Sequence, residues 1–134
     1  MTFMTEQLEV RTPGRSSLVE ITSEIQRVVS KSGIKEGICY IYVPHTTAGV
    51  IINENADPTV QADLVGELDK IVPWEDGYAH TEGNSAAHIK SSIVGVSRFV
   101  FVSAGSLQLG TWQGVYLAEF DGPRTRKVWI RVVA

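Results

Sequence analysis

The amino-acid sequence predicts an α+β fold with a mainly antiparallel sheet and two or three helices. Two segments have apolar residues at the spacing of an amphipathic helix, and several others have the short β-branched or aromatic runs that are typical of strands. Helices and strands segregate along the chain instead of alternating, which favours antiparallel pairing over repeated βαβ units. A length of 134 residues with no internal repeat or linker predicts one domain, residues 1–134.

The first half of the chain is predicted to form three strands and one helix. Strands are expected at 7–12, 37–44 and 48–55. The helix lies between the first two strands, where apolar residues from Leu18 to Val28 recur at helical spacing. Ser16 or Ser17 can cap its start, and Gly33 can end it because glycine tolerates the left-handed conformation that often follows a helix.

A second helix is predicted to begin at the Asp-Pro pair 57–58 and to end before Pro73. Aspartate is a good N-cap, and proline is tolerated at the first helical position because its missing N–H would have no partner there. A loop at 74–84 and a short helix capped by Asn84 or Ser85 are expected next. Strands then follow in "RFVFVSAG", "WQGVYLAEF" and "KVWIRVV", with the turns "SLQLG" and "DGPR" predicted to form hairpins.

Composition argues against several classes of protein. A net charge of -3 argues against general nucleic-acid binding, which needs cationic side chains to neutralise phosphates. No apolar stretch approaches the roughly 20 residues that span a bilayer, so no membrane partner is expected. The N-terminus lacks the pattern of a secretory signal, and the single Cys39 suits a reducing compartment, so the expected location is the cytoplasm.

The three histidines of the chain lie in two polar segments. His45 lies in "VPHTTAGVIINENADP", whereas His80 and His88 both lie in "YAHTEGNSAAHIKSS". Three imidazoles and a water form a familiar open metal site, and the Gly-Asn turn between the last two histidines allows their close approach. Without a short motif such as H-E-x-x-H, spacing alone leaves open that each histidine is a separate hydrogen-bonded or surface residue.

The predicted helix start at Asn84 and Ser85 is a candidate anion site. The first turn of a helix presents unpaired N–H groups and a partial positive charge, which attract phosphate or carboxylate. Gly83 would let the backbone approach a ligand, and Lys90 would add charge. The alternative is a plain helix cap with nothing bound.

The segment "INENADP" places two carboxylates and two amides within five positions, and such groups can hold magnesium. Simple N-capping by Asp57 is the competing interpretation. In the third polar segment, "GTWQGVYLAEFDGPRTR", Gly114 predicts close approach by backbone or ligand. Arg124 follows a tight turn and could clamp an anion, whereas Arg126 and Lys127 are predicted to be surface charges.

Together the three segments resemble the YjbQ-like family, which is often labelled secondary thiamine-phosphate synthase, over nearly the whole chain. The resemblance implies a β-sandwich-like core, a homotrimer, and a polar pocket near a subunit boundary. Position by position, it implies these pocket residues: His45, Thr46, Thr47, Asn53, Glu54, Asn55, His80, Glu82, Asn84, His88, Lys90, Gln113, Glu119 and Arg124.

The resemblance also implies an activity, the joining of hydroxymethylpyrimidine diphosphate to a thiazole phosphate to give thiamine phosphate and diphosphate. In that chemistry the three histidines would hold a divalent ion, zinc or magnesium, or act as acid and base, with Glu54 and Glu82 as further catalytic candidates. Trp112 would either stack on an aromatic ring or belong to the core. A metal-dependent hydrolase and a non-enzymatic module that binds a phosphorylated metabolite remain as alternatives.

Overall fold

The computed structural model describes residues 2–134, which form three helices and eight strands. The helices are α1 (Thr22–Ser32), α2 (Pro58–Ile71) and α3 (Ser85–Val94). The strands are β1 (Phe3–Arg11), β2 (Ser17–Glu20), β3 (Gly37–Tyr42), β4 (Ala48–Glu54), β5 (Ser97–Ser103), β6 (Ser106–Leu107), β7 (Gln113–Glu119) and β8 (Thr125–Val133).

The strands form two antiparallel sheets. The larger sheet has the order β1-β8-β3-β5-β6, and the smaller sheet has the order β2-β7-β4. Every strand pair in both sheets is antiparallel. The predicted α+β fold with antiparallel, two-layered strands is therefore confirmed.

One hydrophobic core lies between the two sheets and α1. Strand β8 shows how the sequence builds it, because Val128, Ile130 and Val132 are fully buried while Trp129 between them is exposed. This is the period of two that places alternate side chains on opposite faces of a sheet. Helix α1 adds Ile25, Val28 and Val29, and β7 adds Val115 and Leu117.

The first helix begins later than its apolar spacing predicts. Residues Ser17–Glu20 form β2, and α1 begins only at Thr22. Strand β2 pairs with β7, with Leu18 opposite Ala118, and this pairing satisfies backbone groups that a helix would otherwise have satisfied. The helix ends as predicted at Gly33, whose φ of 70° lies in the left-handed region.

The other two helices begin where they were predicted to begin. The Asp57 side chain accepts a hydrogen bond from the Thr59 N–H at 2.9 Å and so caps α2. None of the apolar residues that recur at helical spacing in α2 is buried, and Ile71 is 65% exposed. Asn84 holds the N-cap position of α3, but its side chain makes no capping hydrogen bond. None of the helices in residues 2–134 has the length and apolarity needed to span a membrane.

The two predicted hairpins are wrong in detail. The turn after β7 leads to β8 in the other sheet, so "DGPR" carries the chain between sheets. The hairpin of β5 and β6 turns at Ala104 and Gly105, both with positive φ, and Ser106–Leu107 is its second strand. Because two sheets share one core, a tight turn can serve as a crossover between layers as well as a hairpin.

Candidate functional site

Polar residues from all three segments meet at one end of the smaller sheet. Strand β4 begins at Ala48, which pairs with Glu119 at the end of β7. The residues just before β4 and just after β7 are therefore neighbours. Helix α3 joins them because Asn84, at its start, donates a hydrogen bond of 2.9 Å from Nδ2 to Oδ2 of Asp121.

His80 and His88 lie side by side at the start of α3. Their ring centroids are 5.6 Å apart, and their planes cross at 89° in an edge-to-face arrangement. His80 precedes the helix and is about half exposed, and its Nε2 is 4.0 Å from Oε1 of Glu82. The predicted close approach of these two histidines is present, beside the N–H groups of the first helical turn.

Asp121 organises the surroundings of these histidines, and no motif in the sequence predicted this role. Its carboxylate accepts from Asn84 and, at 3.2 Å, from Nη2 of Arg124. Asn84 also donates to Glu82 at 3.2 Å, whereas its buried Oδ1 has no donor within residues 2–134. The available signal for Asp121 was its place in the Asp-Gly-Pro turn, which predicted a bend and not a site.

A buried ion pair underlies the site. Nε of Arg126 donates to Oε1 of Glu119 at 2.8 Å, and its Nη2 donates to Oε2 at 2.5 Å. The same Nη2 donates to Oγ1 of Thr47 at 2.8 Å. Arg126 is 2% exposed, so its prediction as a surface charge is wrong: it shares the inward face of β8 with Val128. Glu119 and Thr47, which the resemblance implies as pocket residues, are buried and bind Arg126 inside the scaffold.

His45 is a half-buried, neutral imidazole. Its Nε2 accepts a hydrogen bond from the Lys127 N–H at 2.9 Å, so the ring proton resides on Nδ1 in the neutral form. Burial is the main cause that lowers the pKa of His45, and the charge of Arg126 adds to it against the opposing carboxylate of Glu119. His45 is thus suited to donate a hydrogen bond through Nδ1 at neutral pH.

The three imidazoles do not form a metal site within one chain. In residues 2–134, no group of three or more His, Cys, Asp or Glu side chains is placed to hold a metal ion. His80 and His88 can supply two ligands, and a tetrahedral zinc site takes four. This corrects the expectation that His45 joins the other two histidines around one ion inside a single subunit.

The residues of "INENADP" and Gln113 lie at the opposite end of the smaller sheet. Glu54 pairs with Gln113, six positions along β7 from Glu119. At about 3.3 Å per residue the two ends are roughly 20 Å apart. Four predicted pocket residues therefore do not join the histidines in one subunit: Asn53, Glu54, Asn55 and Gln113.

Contacts within the fold account for the residues at that end of the sheet. The Tyr116 hydroxyl donates to the carbonyl of Glu54 at 2.9 Å. A Cβ added at Gly114 would lie 2.7 Å from Oε2 of Glu20 and 2.8 Å from Cβ of Asn55, so neighbouring side chains account for this glycine. Trp112 is 64% exposed and so does not belong to the core.

Lys90 does not point toward the helix start. Its side chain is 2% exposed, and its ammonium forms an ion pair with Asp69 of α2. The prediction that it contacts a bound anion is therefore wrong for the single subunit. Of the other predicted anion contacts, Thr46 is exposed beside His45 and Ser85 is half-buried at the first position of α3.

The residues that remain accessible favour an anionic ligand and proton transfer. The N-terminus of α3 offers N–H groups and the positive end of a helix dipole. Arg124 is about half exposed, although Asp121 holds one face of its guanidinium. His45 can donate a hydrogen bond through Nδ1, and the adjacent imidazoles of His80 and His88 supply ring nitrogens that can donate, accept or bind a metal ion.

Comparison with known proteins gives one consistent family. The sequence profile described as "UPF0047 protein YjbQ-like" matches residues 6–134. UPF0047 protein YugU of Bacillus subtilis is 49% identical over 131 residues, covering 97% of this chain and 99% of its own length. UPF0047 protein MJ1081 of Methanocaldococcus jannaschii is also 49% identical, covering 93% of this chain and 91% of its own.

Solved structures show the same relationship. The crystal structure of an uncharacterized YjbQ/UPF0047 family protein from Clostridium acetobutylicum superposes with a TM-score of 0.94 at 44% identity. It covers 96% of this chain and 99% of its own. A YbjQ-like protein of unknown function from Sulfolobus solfataricus also gives a TM-score of 0.94, at 32% identity, covering 98% of this chain and 96% of its own.

Proposed function

Because the chain belongs to the YjbQ-like (UPF0047) family, we propose that it is an enzyme acting on a phosphorylated small molecule at the start of α3. The observation that supports this most is the edge-to-face pair of His80 and His88 beside the helix N-terminus. A helix start favours phosphate, and imidazoles near neutral pH favour acid–base chemistry or metal binding. Both properties are needed where diphosphate leaves a substrate.

The reaction that we propose is the one implied by the family resemblance, the synthesis of thiamine phosphate. The bond between the pyrimidine methylene carbon and the diphosphate breaks as the thiazole nitrogen bonds to that carbon. Negative charge grows on the departing diphosphate, where the N–H groups of α3 and the guanidinium of Arg124 would stabilise it. His45 would donate a hydrogen bond from Nδ1 to the same anion.

His80 and His88 are the residues that would hold a divalent ion, zinc or magnesium. When bound, that ion would supply positive charge next to the leaving diphosphate. Two imidazoles fill only part of a coordination sphere, so substrate oxygens, water or a neighbouring subunit would supply the other ligands. Histidine ligands favour zinc over magnesium, which prefers oxygen.

Alanine at His80 or His88 is expected to lower the rate of thiamine phosphate formation by about 100-fold or more, the effect of losing a general acid or base. His45→Ala is expected to cost less because it removes a single hydrogen bond to the anion. All three variants should unfold at nearly the wild-type temperature, since His80 is about half exposed and the other two rings lie outside the apolar core. We would measure turnover, thermal unfolding and the metal content of protein purified without a histidine tag. The Lys70→Ala variant, at an exposed residue, is the control.

Unchanged turnover and metal content in the His80→Ala and His88→Ala variants would exclude the proposed role of this pair. Release of inorganic phosphate without coupling to the thiazole would favour the hydrolase. Tight binding of the phosphorylated substrate without turnover, in wild-type protein supplied with zinc or magnesium, would favour the binding module.

We also propose that the chain self-associates as a homotrimer, as the resemblance implies. The outer face of the larger sheet supports this, because aromatic side chains on four adjacent strands are exposed there, among them Tyr40, Phe101 and Trp129. An aromatic face of this kind is typical of an interface. Strand β3 ends at Tyr42 on this face, three positions before His45, so a second copy would lie beside the site.

Tyr40→Lys is expected to shift the trimer toward monomer, because a buried interface does not tolerate an unpaired ammonium. Trp112→Lys, at an exposed aromatic residue outside this face, should leave the mass unchanged. Light scattering at matched concentrations measures both. A monomeric wild-type protein, or a Tyr40→Lys variant with the wild-type mass, would contradict the interface.

A further inference from the structure

A second cleft, separate from the histidines, lies between the loop before β2 and the C-terminal half of α2. It has a volume of about 400 Å³. We call it the Arg15 cleft, and its lining residues are Arg15, Ser16, Val65, Asp69, Pro73 and Trp74. Its size is within the range of small-molecule sites in proteins.

Arg15 is held in place at the cleft without being neutralised. Its guanidinium carbon lies 4.2 Å from the centroid of the Trp74 ring, a cation–π contact. Within residues 2–134 the guanidinium makes no ion pair and no hydrogen bond, so its N–H groups are available. A guanidinium that is already oriented loses little conformational entropy when it binds a carboxylate or phosphate.

The charges in the cleft favour an anion. Of its lining residues, the ionisable ones are Arg15 and Asp69. The Asp69 carboxylate forms an ion pair with the buried ammonium of Lys90, so that pair contributes no net charge. Arg15 therefore supplies one uncompensated positive charge to the cleft.

The remaining walls favour a ligand with an apolar part. Val65, Pro73 and Trp74 line the cleft beside Arg15. Trp74 itself is fixed, because it packs against the small core cluster that contains Phe120. A small organic phosphate, with its phosphoryl group on Arg15 and its apolar part against these residues, matches both features.

The cleft adjoins the histidine site through one turn. The backbone carbonyl of Arg15 accepts a hydrogen bond from the Gly122 N–H at 3.1 Å. Gly122 follows Asp121, whose carboxylate binds Asn84 at the start of α3. The turn that orders the histidine site thus also anchors the backbone of Arg15.

We infer that the Arg15 cleft is a binding subsite for the phosphoryl group of a small organic phosphate, with Arg15 as the residue that determines specificity for the anion. The cleft is built without any of the three histidines. Its occupation can therefore be measured whether or not the histidines are catalytic.

The test is a titration of the full chain with phenyl phosphate, followed by the indole N–H resonances in ¹H–¹⁵N spectra. The Trp74 resonance, assigned with Trp74→Phe, is expected to shift and saturate. Arg15→Gln should weaken binding by at least tenfold, since a charge-assisted hydrogen bond is lost. Arg11→Gln, which removes another exposed arginine, should leave the affinity unchanged.

Two further comparisons complete the test. Inorganic phosphate should bind several-fold more weakly than phenyl phosphate because it has no apolar part. The double variant with alanine at His80 and His88 should keep the wild-type affinity, which separates this subsite from the proposed catalytic function. Any one of three results would overturn the inference. The Trp74 resonance could fail to saturate, the Arg15→Gln and Arg11→Gln variants could bind with equal affinity, or the two phosphates could bind equally well.

Discussion

Glu119→Ala is expected to destabilise the protein by about 3–5 kcal/mol, because it leaves the guanidinium of Arg126 buried without its counter-ion. Both side chains are almost fully buried, and two hydrogen bonds join them. Glu119 also accepts from the Thr12 hydroxyl and from the Asp121 N–H, so the variant loses contacts to two loops as well. A loss of this size is a large share of the 5–15 kcal/mol that stabilises a typical domain.

Urea unfolding of Glu119→Ala, Glu119→Gln and Glu75→Ala at neutral pH would measure this loss. Glu75 is an exposed glutamate, and its replacement should change stability by no more than about 0.5 kcal/mol. Glu119→Gln should lie between the other two, because an amide keeps the shape and one acceptor but not the charge. A Glu119→Ala variant as stable as Glu75→Ala would show that Arg126 needs no partner in the fold.

The same pair predicts a pH dependence. Burial alone would raise the pKa of Glu119, but hydrogen bonds from Arg126, Asp121 and Thr12 outweigh it and hold the pKa below its usual value. A carboxyl whose pKa is lowered on folding stabilises the protein above its unfolded pKa, and this contribution is lost as the pH falls through the folded value. The stability advantage of wild type over Glu119→Gln should therefore shrink in acid below the ordinary glutamate pKa.

Asp69→Ala is expected to destabilise the protein by about 3 kcal/mol, because it leaves the ammonium of Lys90 buried and unpaired. The effect lies at the low end for a buried pair since the Asp69 side chain is 54% exposed and water reaches it. The Lys90 ammonium also lies 5.9 Å from the centroid of the Phe120 ring, a cation–π contact with a member of the small apolar cluster.

The double variant Asp69→Ala with Lys90→Met tests the cause. Methionine keeps the length of the lysine chain without its charge, and replacement of a buried pair by apolar residues is often neutral or stabilising. The double variant should thus recover most of the stability that Asp69→Ala loses, as measured by thermal unfolding. If it is as unstable as Asp69→Ala, the loss comes from packing or helix structure and not from an unpaired charge.

The α+β class and most of the elements could be predicted from the sequence because they depend on near neighbours. Alternation along β8 places Val128, Ile130 and Val132 inside the core. The Asp57–Pro58 pair starts α2, and the Asp57 side chain caps it by a hydrogen bond from Thr59, two positions later in sequence. The meeting of His80 with His88 follows from a short turn and one helix. Each of these features is decided within about ten residues of chain.

The composition of the site was decided by tertiary structure. Arg126 follows two positions after Arg124 in sequence, yet β8 carries it into the core, where it meets Glu119 and Thr47. The hydrogen bond from Thr12 to Glu119 joins residues 107 positions apart. Local propensity cannot predict such partners, because the free energy of a buried charge depends on which distant group is present to pair with it.

The sequence by itself determined the antiparallel α+β fold, the Asp57 cap of α2 and the pairing of two histidines, because dihedral preference, capping and alternation act over a few residues. Tertiary structure alone decided that Leu18 lies in a strand. It also decided that the three imidazoles do not share one metal position within a single subunit, and that Asn53 and Gln113 lie at the far end of the sheet from His80 and His88. The register of β7 against β2 and β4 sets these distances, and register is a property of strands that meet across the whole chain.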